Sequence, residues 1–138
     1  MATQNKFNQF TKDLVDGVHD FDAHTFKIML TNVAPSASNA TKSAITEIAA
    51  GNGYTAGGAT VSMSTSTSGG VAKITATDVV FTATGNMAEF QWAVLYNDTP
   101  TSPADPLISW VEYPSKVNLT AGETFTIDFD GTNGLITI

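Results

Sequence analysis

The sequence predicts an all-β fold, an antiparallel β-sandwich or jelly roll of roughly eight strands with a short N-terminal helix and one short internal helix. Three observations predict it. Short segments alternate apolar and polar residues at period two, most cleanly over 26–30 and 125–129. Turn residues (Gly, Pro, Asn, Asp) recur about every 8–12 positions, the spacing of sandwiches and barrels. One longer segment, 89–98, is rich enough in β-formers to sit inside a sheet.

Residues 5–18 read as an amphipathic helix. Phe7, Phe10, Leu14 and Val18 recur at steps of three and four, while Lys6, Gln9, Lys12, Asp13 and Asp16 fill the other side. Gly17 weakens its end. Residues 1–18 are expected either to plug one end of the β-core or to act as an arm that docks on a neighbouring subunit. Residues 25–31 form a strand, with Phe26, Ile28 and Leu30 facing in and Lys27, Met29 and Thr31 facing out or toward a partner. A polar loop containing Pro35 follows. Ile45, Ile48 and Ala49, with Ser43 as N-cap, predict a short helix over 43–50 that ends at Gly51. Gly51, Gly53, Gly57 and Gly58 predict a tight turn into a strand, with Tyr54 anchored among glycines at positive φ.

Residues 59–67 read as a Ser/Thr-rich strand with Val61 and Met63 on one side. Ser68-Gly69-Gly70 turns it into a hairpin with 71–75. Residues 78–83 form the next strand, turning at Gly85-Asn86 into 89–98. There Phe90, Trp92, Val94 and Tyr96 share an apolar face, and Gln91, Ala93, Leu95 and Asn97 share the other. Asn97-Asp98-Thr99-Pro100 stops the strand. Residues 107–113 carry Trp110, Pro114-Ser115-Lys116 reads as a turn into 117–119, and 124–130 alternates without error. Residues 131–134 close a hairpin into a last strand, 135–138. The expected core is Phe26, Ile28, Leu30, Phe81, Phe90, Trp92, Val94, Phe125, Ile127 and Phe129.

The chain has 138 residues, which predicts a single domain over 1–138. A domain of this size buries roughly 68% of its unfolded surface, enough for a core without staples. There is no cysteine, hence no disulfide, no thiol nucleophile and no thiolate metal site. No apolar run is long enough for a membrane-spanning helix, and the first residues lack an apolar signal core. Thirteen acids face six lysines and no arginine, for a net charge of −7. Phosphate binding needs clustered cations, so neither nucleic acid nor an anionic membrane is an expected partner. Only 14% of residues are charged. A surface of Ser, Thr, Asn and Gly can meet another protein with little charge to desolvate.

Motifs that carry chemistry are absent or incomplete. His19, Asp20, Asp22 and His24 combine metal-ligating residue types, but the spacing matches no established pattern and there is no third histidine. A solvated helix-to-strand connection accounts for them. The glycines at 51–58 have neither phosphate-loop nor dinucleotide-binding spacing. Asp128-x-Asp130-Gly131 has its glycine too early for a calcium loop and no closing glutamate. Glu89, Glu112 and Glu123 would pair as glycosidase acids only by an accident of folding. No catalytic residue, cofactor or metal ligand is assigned, and no enzymatic activity is expected.

The segments Gly53-Tyr54-Thr55-Ala56-Gly57-Gly58, Trp92-Ala93-Val94-Leu95-Tyr96-Asn97-Asp98, Pro106-Leu107-Ile108, Phe125-Thr126-Ile127-Asp128-Phe129-Asp130 and Gly134-Leu135-Ile136 carry a resemblance. Together with the opening helix and the 26–30 strand, they make the chain resemble small virion structural proteins of tailed bacteriophages, of the head decoration or cement type. The resemblance spans nearly the whole chain and rests on turns and core strands. It implies a β-sandwich subunit that binds the outer capsid surface, clamps adjacent major capsid proteins and assembles in the host cytoplasm. It implies no catalytic or ligand residues. Self-association to a dimer or trimer is expected. Expected docking side chains are Phe7, Phe10, Leu14, Tyr54 and Trp110, with loops 34–42 and 99–105. The alternative is a tail or fibre module reading carbohydrate through Trp110, Tyr54 and Tyr113.

Overall fold

A computed structural model describes residues 3–131 and 134–137. The chain is mostly β, with antiparallel pairing throughout the described strands. In chain order it runs β1 (Thr3–Lys6), α1 (Asn8–Val15), β2 (Phe26–Thr31), a 3-10 turn (Lys42–Ala44), β3 (Ala59–Val61), β4 (Met63–Ser68) and β5 (Val71–Ala76). Then follow β6 (Val79–Thr82), β7 (Phe90–Asn97), β8 (Leu107–Val117), β9 (Thr124–Ile127) and β10 (Ile136–Thr137). The large sheet has the order β1-β8-β7-β2-β3; two smaller sheets are β10-β5-β4 and β6-β9.

One face of the large sheet shares a core with both smaller sheets. Phe26, Ile28 and Leu30 of β2 meet Ala93 and Leu95 of β7, Ile74 of β5, Val79 and Phe81 of β6, and Ile127 and Phe129 from β9 onward. The other face carries a second core of Phe7, Met29, Val94, Tyr96 and Leu107, covered by Ile45 and Trp110. The centre of β7 is therefore buried on both sides, more fully than the expected cover of one face and part of the other.

From Ala93 to Tyr96 the two faces of β7 are those that alternation predicts, with Val94 and Tyr96 in one core and Ala93 and Leu95 in the other; Phe90 is the residue that departs. The register passes from Phe90 opposite Val117 to Trp92 opposite Glu112, a β-bulge that breaks the period of two. Phe90 consequently joins Ala93 and Leu95 in the first core and is fully buried. Trp92 turns to the opposite face and is only half-buried. Phe125, also expected in the core, is half-buried and packs edge-on against Phe90 and Tyr113. Met29, expected to face outward, is completely buried in the second core.

Several elements differ from their expected form for identifiable reasons. The predicted helix over 5–18 shortens to α1, because residues 3–6 pair with β8 instead. Phe7 stays extended at the helix start, where its N–H donates to the Ile108 carbonyl (3.1 Å). Phe7 and Phe10 therefore enter different cores. The helix predicted over 43–50 is only the 3-10 turn. Eight residues rich in β-branched side chains do not sustain an isolated helix, and Thr31 bridges Glu47 while the Ile48 N–H reaches the Leu30 carbonyl (3.1 Å). The expected strand 59–67 breaks at Ser62 into β3 and β4, which join different sheets. Pro114 makes no turn. It lies inside β8 within the bulge, where no ladder donor is required of it. Likewise β6 pairs with β9 rather than turning into β7, and β10 pairs with β5 rather than β9. Of the hairpin predicted over 131–134, Thr132 and Asn133 lie outside the described residues, as does Ile138 at the end of the predicted last strand.

Candidate functional site

The glycine-rich stretch is a structural joint. Tyr54 is buried, its hydroxyl accepting from the Leu30 N–H (3.1 Å) and donating to Glu47 Oε2 (2.6 Å). The same carboxylate oxygen accepts the Gly57 N–H (2.6 Å), and the Gly57 carbonyl accepts the Tyr96 hydroxyl (2.6 Å). Burial, reinforced at Tyr54 by the bond to Glu47, pushes both phenols well above their ordinary range. The network pins the 47–58 segment to β2 and β7. Gly58 has positive φ, and a Cβ there would fall inside the Ile28 carbonyl, so only glycine fits.

The connection between α1 and β2, read from the sequence as solvated, is anchored inward. His19 and Phe21 are buried. Phe21 stacks on Phe26 at 4.8 Å and 3°, and His19 packs at 5.3 Å from Phe10. Asn97 Nδ2 stands 3.1 Å from His19 Nδ1 and 2.9 Å from His24 Nδ1. Its Oδ1 accepts the Thr99 N–H (3.1 Å), which fixes the amide orientation, so the two Nδ1 atoms act as acceptors. Asp20 and Asp22 serve the turn itself: Asp20 Oδ1 accepts from Asp22 and Ala23 N–H, and Asp22 Oδ1 accepts the Thr65 hydroxyl. Among the described residues no group of three or more His, Asp or Glu is arranged to hold a metal ion. Sequence reasoning missed Asn97 as the keystone; its only signal was an amide at the end of a buried strand.

The three glutamates do not converge. Glu89 binds Lys116 (3.4 Å) and accepts from Asn118 (2.8 Å) and Asn32 (3.3 Å). The Asn118 bond leads in holding its carboxyl below the usual range. Glu112 accepts the Trp92 indole N–H (3.2 Å), and Glu123 caps the turn at Thr120.

Backbone hydrogen bonds join the start of α1 to the two loops, while the five expected docking side chains are buried or half-buried. The Asn8 N–H donates to the Ala37 carbonyl (2.9 Å), the Leu107 N–H to Ala40 (3.0 Å), and the Lys42 N–H to Asp105 (2.9 Å). Thr41 also bridges Pro106. The start of α1, the 33–42 loop and the 99–105 loop thus form one continuous surface. Residues 33–41 and 99–104 contain no charged side chain, and most are exposed. A cleft of about 340 Å³ lined by Lys42, Ser43, Ile45, Glu47 and Asp105 opens beside it. Val33 and, on α1, Val15 are exposed apolar residues at 55% and 82%. Phe7, Phe10 and Tyr54 are buried, Leu14 is half-buried against the first core, and Trp110 packs on Phe7 at 4.5 Å. On the same sheet face as Trp110 lies Trp92, also half-buried.

No known protein family, no curated protein and no solved structure matches this chain.

Proposed function

We propose that this chain is a non-catalytic virion structural protein of a tailed phage, a β-sandwich or jelly-roll subunit that binds the outside of the assembled capsid and bridges neighbouring major capsid proteins. The observation that carries the reading is the charge-free surface made by residues 33–41 and 99–104 beside α1. Burying such a surface against protein strips water from few charged groups, so small apolar and hydroxyl contacts give a net gain. Backbone hydrogen bonds tie both loops to the sheet, so little ordering entropy is lost on docking. A subunit that binds the closed shell and not the open one stabilises the shell by mass action. The resemblance to decoration proteins points the same way.

The test compares particles lacking this chain with complete ones under heat and osmotic shock, and adds back wild-type or Ala37→Glu/Thr101→Glu protein. Both sites are exposed, so the variant keeps its melting temperature. Wild type restores robustness; the variant binds at least tenfold more weakly. Equal robustness of depleted particles, or full binding by the variant, overturns the proposal.

A second reading, a carbohydrate-binding tail or fibre module, draws on one observation: Trp92 and Trp110 share a sheet face with Glu112. Half-buried indoles beside a carboxylate suit sugar stacking and hydroxyl recognition. Quenching of tryptophan fluorescence by host-surface glycans, lost in Trp110→Ala, would favour it over capsid docking.

A further inference from the structure

We infer that the segment joining α1 to β2 is a proton-operated latch: protonation of His19 or His24 breaks their shared hold on Asn97 and releases residues 9–24 from the large sheet. The inference stands on its own geometry and does not depend on the capsid reading.

Asn97 offers two Nδ2 hydrogens, and each meets one histidine Nδ1. His24 Nδ1 also accepts the Asp20 N–H (3.2 Å). With the amide oriented by Thr99, both rings must carry their proton on Nε2 and be neutral. A proton added at either Nδ1 sets an N–H donor against the Asn97 N–H. No rotation of the amide repairs this without losing the Thr99 bond.

The latch lies within the aromatic packing that holds this region, alongside the buried Phe10 and Phe21. His19 lies among Phe10, Phe21 and Phe26, so its ring joins α1, the connection and β2 in one aromatic stack. The Val18 N–H bonds the Asp13 carbonyl (2.9 Å), coupling the helix end to the His19 position. The ionisable groups around the site are Asp13 on α1, Asp20 and Asp22 in the turn, Asp98 after β7, and Lys27 on β2, the last two paired at 3.3 Å. Asp13, itself buried, draws His19 toward its charged form. Burial outweighs it, and holds the His19 imidazole down at about 4. The closed form therefore refuses a proton that the open form accepts below about pH 6.5, so acid favours opening.

Hydrogen exchange on the full chain tests this, read as protection factors corrected for intrinsic rates. Between pH 7 and pH 5, protection over residues 9–24 should fall at least tenfold, while β7 and β8 keep theirs. His19→Gln/His24→Gln keeps neutral acceptors that cannot be protonated, and should lose the pH response. Asn97→Asp supplies a carboxylate that accepts from both protonated rings, and should reverse its sign. The wild-type comparison needs no variant to fold. Unchanged protection in wild type at pH 5, or an equal fall in the double glutamine variant, overturns the latch. So does a His19 ring that NMR shows charged near pH 6 while the segment stays protected.

Discussion

Two residues on β7 that were both expected in the core differ in burial. Phe90 is fully buried and Trp92 half-buried, because the bulge between them turns Phe90 into the first core. Phe90→Ala should cost about 3–5 kcal/mol, the range for emptying a buried aromatic site. Trp92→Ala, whose indole sits partly in water, should cost clearly less. Urea denaturation of the pair checks the order; equal losses would contradict the bulge. At Tyr54 the hydroxyl matters as much as the ring. Tyr54→Phe leaves the buried Leu30 N–H without its acceptor and removes one donor from the partly buried Glu47. A loss of about 1–3 kcal/mol is expected. The sequence showed that Tyr54 would be anchored. It could not show by what, because Glu47 and Leu30 reach it only through tertiary folding.

The strands themselves were legible, the doubly covered β2 and β7 included; the burial of a second face, as at Met29, and the pairings made across the fold were not. β9 and its extension alternate so cleanly that Ile127 and Phe129 were placed correctly from spacing alone. The β4–β5 hairpin followed from Ser68-Gly69-Gly70. By contrast β1 is four polar residues whose strand state comes from pairing with β8, and no local pattern announces that. The 43–50 segment has helical spacing, yet long-range bonds to β2 decide its form. Of the candidate surface, the sparse charge was readable, since only Lys42 and Asp105 interrupt loops 34–42 and 99–105; the convergence of the two loops was not. The joint at Gly58 gives a test at this scale. Gly58→Ala places a methyl against the Ile28 carbonyl at a positive φ, so β3 must part from β2. A tolerated Gly→Ala change stabilises by up to about 1 kcal/mol; here a destabilisation larger than that is expected. Thermal melts decide it, and an unchanged melting temperature would refute the close approach.

For the molecule as a whole, acidity and salt act differently. The His19 imidazole is held down to about 4 in the folded state by burial, against about 6.5 when unfolded. The unfolded chain therefore takes up the proton first. Stability from this group is complete above about pH 6.5 and is lost as pH falls toward 4, by on the order of 2–3 kcal/mol. Denaturant titrations from pH 7.5 to 4 should show that decline in wild type and much less of it in His19→Gln. Salt, in contrast, should barely affect docking through residues 33–41 and 99–104, which hold no charge to screen. The most direct measurement of the central claim is cryo-electron microscopy of intact particles carrying this chain. Density is expected on the outer capsid surface, with the 33–41 and 99–104 loops against neighbouring major capsid subunits. Density confined to the tail, or a capsid-bound subunit with those loops facing solvent, would contradict that claim.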